Sequence, residues 1–177
     1  MPKAYLGLGG NLGDRHWHLA EAVRRLDQPP GLAVLTVSSV YESPAFGPVV
    51  QPDFLNVVVG VDTTLSPMEL LAECLRLETA LGRVRRERWG PRTVDLDVLL
   101  YDAVVLADEA LTLPHPGMRE RNFVLTLLAE IAPDLNLGGE SVRALAARLG
   151  QTGLKKIGPL EWTGATTETP HHADQGV

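Results

Sequence analysis

Residues 94–102 read VDLDVLLYD. Val94, Leu96, Val98 and Leu99 predict a buried β-strand, yet Asp95 and Asp97 interrupt the apolar run. Ionised carboxylates do not enter a core unpaired. Side chains two apart on a strand share a face, with Cα atoms roughly 6.5–7 Å apart. The two acids therefore leave the core together. Either they face water by chance, or something positive is meant to meet them.

This strand also decides the fold, because it closes a series. AYLGLG (4–9) reads as a short strand, ended by the turn-forming run GGNLGD. Asp14 is placed to cap a helix over 15–26, with Leu19, Val23 and Leu26 on one face. LAVLTVSSVYE (32–42) carries β-branched residues throughout and predicts one strand. SPAFGPVVQPD (43–53) holds three prolines and a glycine and is a loop, long enough to point to function. FLNVVVGVDT (54–63) predicts the next strand, antiparallel to the last. Ser66-Pro67 with Glu69 opens a helix to about 81, with Leu70, Leu71, Leu75 and Leu77 as expected core. Residues 106–118 read mainly as loop, 121–133 as a helix ended by Pro133, and 141–149 as a last short helix. The order β-α-β-β-α-β is that of a ferredoxin-like α+β sandwich, helices packed on an antiparallel sheet, here with added C-terminal helices. One domain over 1–150 is expected, followed by a polar, poorly ordered tail over 151–177.

The 177-residue length suits one domain with a proper core. No apolar run approaches the eighteen or so residues of a membrane span, and the N-terminus does not resemble a signal peptide. A single cysteine, Cys74, leaves no intramolecular disulfide to form, so a reducing cytoplasm is the expected location. The net charge of −6 argues against a surface built for nucleic acid. Its distribution is uneven. Arg83, Arg85, Arg86, Arg88 and Arg92 stand together, opposed only by Glu87.

That loop runs straight into the aspartates. Forked guanidinium donors suit phosphate oxygens, and paired carboxylates suit magnesium shared with substrate phosphates. Two metals about 3.5–4 Å apart fit such a carboxylate pair and clamp a phosphoryl displacement. Phosphoryl transfer needs little besides this positioning and charge neutralisation. Trp89-Gly90-Pro91 adds an aromatic face beside a stiff turn, a loop suited to closing over a nucleotide. Two other readings use the same arginines: a module that senses nucleotide without chemistry, and a single-strand nucleic-acid binder. Neither requires acids beside the arginines.

Glycines 7, 9, 10 and 13 do not make a dinucleotide fingerprint, because G-x-G-x-x-G requires glycine where Leu12 stands. No lysine precedes Ser or Thr, so there is no P-loop. His115, in the rigid stretch LPHPG, either contacts a phosphate or caps its own turn. Phe54 and Phe123 are core by default, or else they stack on a flat heterocycle. Cys74 sits among leucines and is expected to pack.

RWGPRTVDLDVL (88–99) resembles the signature of the 6-hydroxymethyl-7,8-dihydropterin pyrophosphokinase family of folate biosynthesis. LGLGGNLGD (6–14), TVSSVYESPAFGP (36–48), QPDFLNVVV (51–59), LETALGRVR (77–85), LTLPHPGMRERNFVL (111–125) and EIAPDL (130–135) follow in the family's order, so the likeness covers about residues 3–140. The resemblance implies transfer of an intact pyrophosphoryl group from ATP to the hydroxymethyl oxygen of the pterin, with release of AMP. It implies two Mg²⁺ ions on Asp95 and Asp97, and a catalytic set of these acids with Arg83 and Arg92. It places Arg83, Arg85, Arg88, Trp89, Arg92, His115 and Arg121 at ATP. It places Ser43, Pro44, Phe46, Phe54, Asn56, Asp95 and Phe123 at the pterin. The expected partners are these two small molecules, with no nucleic acid or membrane, and the expected state is a monomer. The loop between Arg85 and Trp89 is a residue shorter than in the enterobacterial type, and Pro116 and Leu75 stand where some relatives have tyrosine and glutamine.

Overall fold

The computed structural model describes residues 1–45, 47–82 and 93–162. Strand β1 (Lys3–Gly10) leads to helix α1 (Arg15–Leu26), β2 (Leu32–Val37), β3 (Val40–Ser43), β4 (Phe54–Thr63), α2 (Pro67–Ala80) and β5 (Asp95–Tyr101). A two-residue hairpin follows, β6 (Leu106–Ala107) with β7 (Thr112–Leu113), then a 3-10 turn at Met118–Glu120. Helix α3 (Asn122–Ile131), a second tiny hairpin of β8 (Asn136–Leu137) and β9 (Glu140–Ser141), helix α4 (Val142–Leu149) and β10 (Lys155–Gly158) complete it. The main sheet runs β10-β3-β4-β1-β5, with β2 also on β4, and every pairing is antiparallel. With β2 and β3 counted together, both paired with β4, the β-α-β-β-α-β order and the ferredoxin-like sandwich are as expected.

Both early helices start where their caps dictate. Asp14 accepts from the Trp17 N–H at 3.0 Å. Ser66 and Glu69 form a reciprocal capping box with Pro67 in the first turn. Each such cap satisfies amide donors that helix geometry leaves orphaned, and contributes about 1 kcal/mol.

The sheet is covered on both sides. On one face Leu19, Val23 and Leu26 of α1 and Leu70, Cys74 and Leu77 of α2 pack against Leu6, Leu8, Val57, Val59, Leu96 and Val98. On the other, α3 and α4 bring Leu125, Leu127, Leu128, Val142 and Leu145 against Val58, Leu99 and Leu100. The apolar stripe of α2 runs through Leu70, Cys74 and Leu77, so Leu71 is only half-buried and Leu75, expected in the core, is exposed.

Two further expectations are corrected. The strand expected over 32–42 is broken at Ser38-Ser39. Val37 faces Val59 but Tyr41 faces Asn56, so one extra residue lies between them on the first strand. The Ser38 hydroxyl occupies the Val58 N–H at 2.9 Å, and the Ser39 N–H donates to Glu130 at 2.7 Å, which stabilises the bulge. The sheet also extends past residue 150. Lys155 pairs with Glu42, and Leu160 is buried in the core under α1 and α2. Residues 163–177 of the expected tail lie outside the described residues. Among those described, no helix is long and apolar enough to cross a membrane.

Candidate active site

Strand alternation builds the site. β1 sends Ala4, Leu6 and Leu8 into the core beneath α1 and α2, and so turns Gly7 and Gly9 to the α3 face. β5 sends Leu96 and Val98 the same way as the leucines of β1, and turns Asp95 and Asp97 to the α3 face. In register, Asp97 stands opposite Gly7 and Asp95 opposite Gly9. Gly9 in turn stands opposite Asn56, and Asn56 opposite Tyr41. A lateral row Tyr41–Asn56–Gly9–Asp95 thus crosses four strands, with no side chain at Gly9 between Asn56 and Asp95.

A cavity of about 140 Å³ occupies that space. Its floor is Gly7 and Gly9, its walls include Asp95 and Asp97 on one side, Ser43, Pro44, Phe54 and Asn56 on the other, and Arg121 and Phe123 from the start of α3. The floor has no room to spare at Gly9, where a Cβ would lie 3.1 Å from Asn56 Oδ1. At Gly10 a Cβ would come within 2.0 Å of the Thr93 carbonyl, so only glycine lets β1 pass the chain entering β5 this closely.

Polar partners fix the orientations. Asn56, itself buried, donates Nδ2 to the Ser43 hydroxyl at 2.8 Å and to the Tyr41 carbonyl at 3.2 Å, which leaves Oδ1 turned toward Gly9. Tyr41 is held from behind, its hydroxyl donating to Glu130 at 2.7 Å. Burial and then that carboxylate push the Tyr41 phenol up to about 12. Glu78, buried at the end of α2, accepts the Leu96 N–H at 2.7 Å and so pins the edge strand between its two aspartates. The Cys74 thiol is pushed up by burial, then by the carboxylates of Glu78 and Asp97.

Asp95 and Asp97 supply hard oxygen donors on one face, with the glycine floor leaving room before them. Among the described residues no set of three His, Cys, Asp or Glu side chains forms a closed metal cage. A carboxylate pair on one face fits magnesium, which keeps waters and shares its remaining positions with phosphate oxygens.

The loop between β3 and β4 is tied down at its second end. Asn11, buried in the turn after β1, donates Nδ2 to Gln51 Oε1 at 2.9 Å and to the Pro52 carbonyl at 2.8 Å. His115 sits in a turn whose backbone is bonded to β5, its N–H donating to the Leu99 carbonyl at 2.9 Å. His115 Nδ1 accepts the Gly117 N–H at 3.1 Å, which is the turn-capping role considered from sequence. Burial, then the charge of Arg121, holds this imidazole below its ordinary value.

The family model for 7,8-dihydro-6-hydroxymethylpterin-pyrophosphokinase (HPPK) matches residues 5–133. The chain belongs to this family. An HPPK relative from Methylorubrum extorquens, a 2-amino-4-hydroxy-6-hydroxymethyldihydropteridine pyrophosphokinase, is 51% identical over 157 residues, covering 89% of this chain and 99% of its own. The Haemophilus influenzae protein of the same name is 44% identical over 80% of this chain and 89% of its own length. In fold, the chain superposes on the Plasmodium falciparum HPPK-DHPS crystal structure with a TM-score of 0.68 at 15% identity, spanning 89% of this chain and 47% of that longer one.

Of the HPPK-type residues expected from sequence, the structure brings Ser43, Pro44, Phe54, Asn56, Asp95, Asp97, Arg121 and Phe123 around one cavity. His115 is not in its lining, and lies close enough to Arg121 to feel its charge. Arg83, Arg85, Arg88, Trp89, Arg92 and Phe46 lie outside the described residues. Sequence reading missed Gly7 and Gly9 as the floor, although the alternation Leu6-Gly7-Leu8-Gly9 leaves one face of a strand bare. It also missed Glu78, whose signal was a carboxylate four residues after Cys74 on an apolar stripe.

Proposed function

We infer that this chain transfers the terminal pyrophosphoryl group of ATP to the hydroxymethyl oxygen of 6-hydroxymethyl-7,8-dihydropterin, giving AMP and the pterin diphosphate in folate biosynthesis. The observation that carries this reading is the HPPK chain's own cavity, which sets an acid pair across a glycine floor from a buried amide. A flat heterocycle of pterin size enters between Phe54 and Phe123. Asn56 Oδ1 accepts an N–H from its edge, because Nδ2 is already engaged by Ser43 and Tyr41. Burial of that polar contact makes it selective, since an analogue without the matching donor leaves the amide oxygen unpaired.

The hydroxymethyl arm then lies toward Asp95 and Asp97, the residues that would hold magnesium. Magnesium held there, two ions by the family resemblance, would supply neutralisation of charge developing on the phosphate oxygens. Arg121 brings a fixed cation to the same edge of the cavity. With Nδ1 of His115 accepting from Gly117, the proton of the neutral imidazole resides on Nε2, giving a donor for a phosphate oxygen. Arg83, Arg85, Arg88, Trp89 and Arg92 are assigned to the phosphates and the closing loop, with Arg83 and Arg92 acting on the transferred group. Phe46 is assigned to the pterin wall. Buried Cys74 as the single thiol is compatible with work in a reducing cytoplasm.

Incubation with ATP, Mg²⁺ and 6-hydroxymethyl-7,8-dihydropterin is expected to form AMP in step with pterin diphosphate. ADP as the product, or AMP formed without pterin, overturns the assignment.

A further inference from the structure

One arginine outside the cavity holds both stems of the loop that walls it. Arg15, the first residue of α1, places NH1 2.8 Å from Glu42 Oε2 and 2.9 Å from the Asp53 carbonyl. Glu42 immediately precedes Ser43, and Asp53 immediately precedes Phe54; Ser43 and Phe54 line the cavity and are register partners. The two acceptors converge on a single nitrogen. Without a cation there, a carboxylate and a carbonyl oxygen face one another across the base of the loop.

The pair sits on the opposite face of the sheet from the cavity. Glu42 stands opposite Leu55, whose side chain belongs to the core under α1 and α2, whereas its neighbours Tyr41 and Ser43 bond to Asn56 on the cavity side. Arg15 therefore reaches no atom of the cavity, and acts through the backbone of β3 and β4. Both side chains are only partly exposed, at 31% and 24%, so the ion pair is less screened than one at the surface.

We propose that Arg15 is a positioning residue for the heterocycle pocket, clamping the stems of loop 44–53 through Glu42 and the Asp53 carbonyl so that Ser43 and Phe54 keep their spacing. This rests on the pterin reading of the cavity. The clamp acts on the pterin and not on the nucleotide, because Asp95, Asp97 and Arg121 lie on other elements.

The test measures KM for pterin and for ATP, kcat, and melting temperature in Arg15→Ala, Arg15→Lys and Glu42→Gln. Arg15→Ala is expected to raise the pterin KM about fivefold, the upper end for a partly exposed ion pair, with ATP KM and kcat within about twofold. Arg15→Lys keeps a cation within reach of both acceptors, and is expected to restore most of the pterin KM. Glu42→Gln is expected to give an intermediate rise. The lysine and glutamine variants keep the proposal testable if the alanine variant does not fold. An unchanged pterin KM in these variants overturns the clamp, as does an equal rise in both KM values, or a failure of lysine to restore what alanine loses. Failure of the unmodified protein to form AMP strikes instead at the proposed reaction.

Discussion

The two faces of the sheet are made by the same strands and differ in almost everything else. β1 gives Leu6 and Leu8 to the face under α1 and α2, and Gly7 and Gly9 to the face under α3. β5 gives Leu96 and Val98 to the first, Asp95 and Asp97 to the second. The first face closes over an apolar core. The second begins as core at Leu99 and Val58 and opens into a cavity where side chains are missing or charged. A period of two thus lets one strand hold the fold with one set of residues and line the cavity with the other.

If the division is real, substitutions on the two faces should fail in different ways. The largest effect is expected on the cavity face. Asp97→Ala should lower kcat by about a thousandfold, comparable with losing a group that stabilises transition-state charge, while leaving melting temperature little changed. Activity within tenfold of the parent would remove Asp97 from the metal site. On the other face, Leu6→Ala deletes a side chain that is 0% exposed and should cost about 2–5 kcal/mol by chemical denaturation. The folded fraction should keep its KM values. A raised pterin KM at full folding would show that the two faces are not separable.

Much of this was legible from the residues. The strand and helix order followed from apolar periodicity, the helix starts from Asp14 and Ser66-Pro67, and the acid pair from its spacing within an apolar run. What escaped depended on contacts between distant segments. The bulge at Ser38 exists because a hydroxyl takes a ladder position on Val58, and nothing in LAVLTVSSVYE distinguishes that from a continuous strand. β10 is four residues, two of them lysine, and becomes a strand only because β3 offers it an edge. Leu75 looked like core on hydrophobicity, but the sheet meets the stripe of Leu70, Cys74 and Leu77. The ligature of Arg15 to Glu42 joins residues 27 apart and is invisible until the fold brings them together.

The glycine floor gives a smaller, sharper test of the same division. Gly9→Ala adds a methyl group toward Asn56 Oδ1, at 3.1 Å, and narrows the space between that amide and Asp95. A pterin KM raised about tenfold is expected, since displacing one buried polar contact costs about 1.4 kcal/mol. Gly7→Ala meets only Leu99 at 3.4 Å, an ordinary contact, and should change the pterin KM less. Reversal of that order would mean that the heterocycle does not lie over Gly9.

The smallest effect expected is a pH dependence carried by His115. Burial, then Arg121, holds the folded His115 imidazole below its ordinary value of 6.5. As pH falls through 6.5 the unfolded chain gains this proton before the folded one does, so protonation favours unfolding. Stability from this group is therefore complete above 6.5, declines as pH falls below it, and levels off once the folded imidazole is also protonated. One proton sets a ceiling of about 1.4 kcal/mol per pH unit. Between pH 8 and pH 5 the denaturation midpoint of the parent should fall more steeply than that of His115→Gln. Parallel curves would mean that burial and Arg121 do not hold His115 neutral in the folded chain.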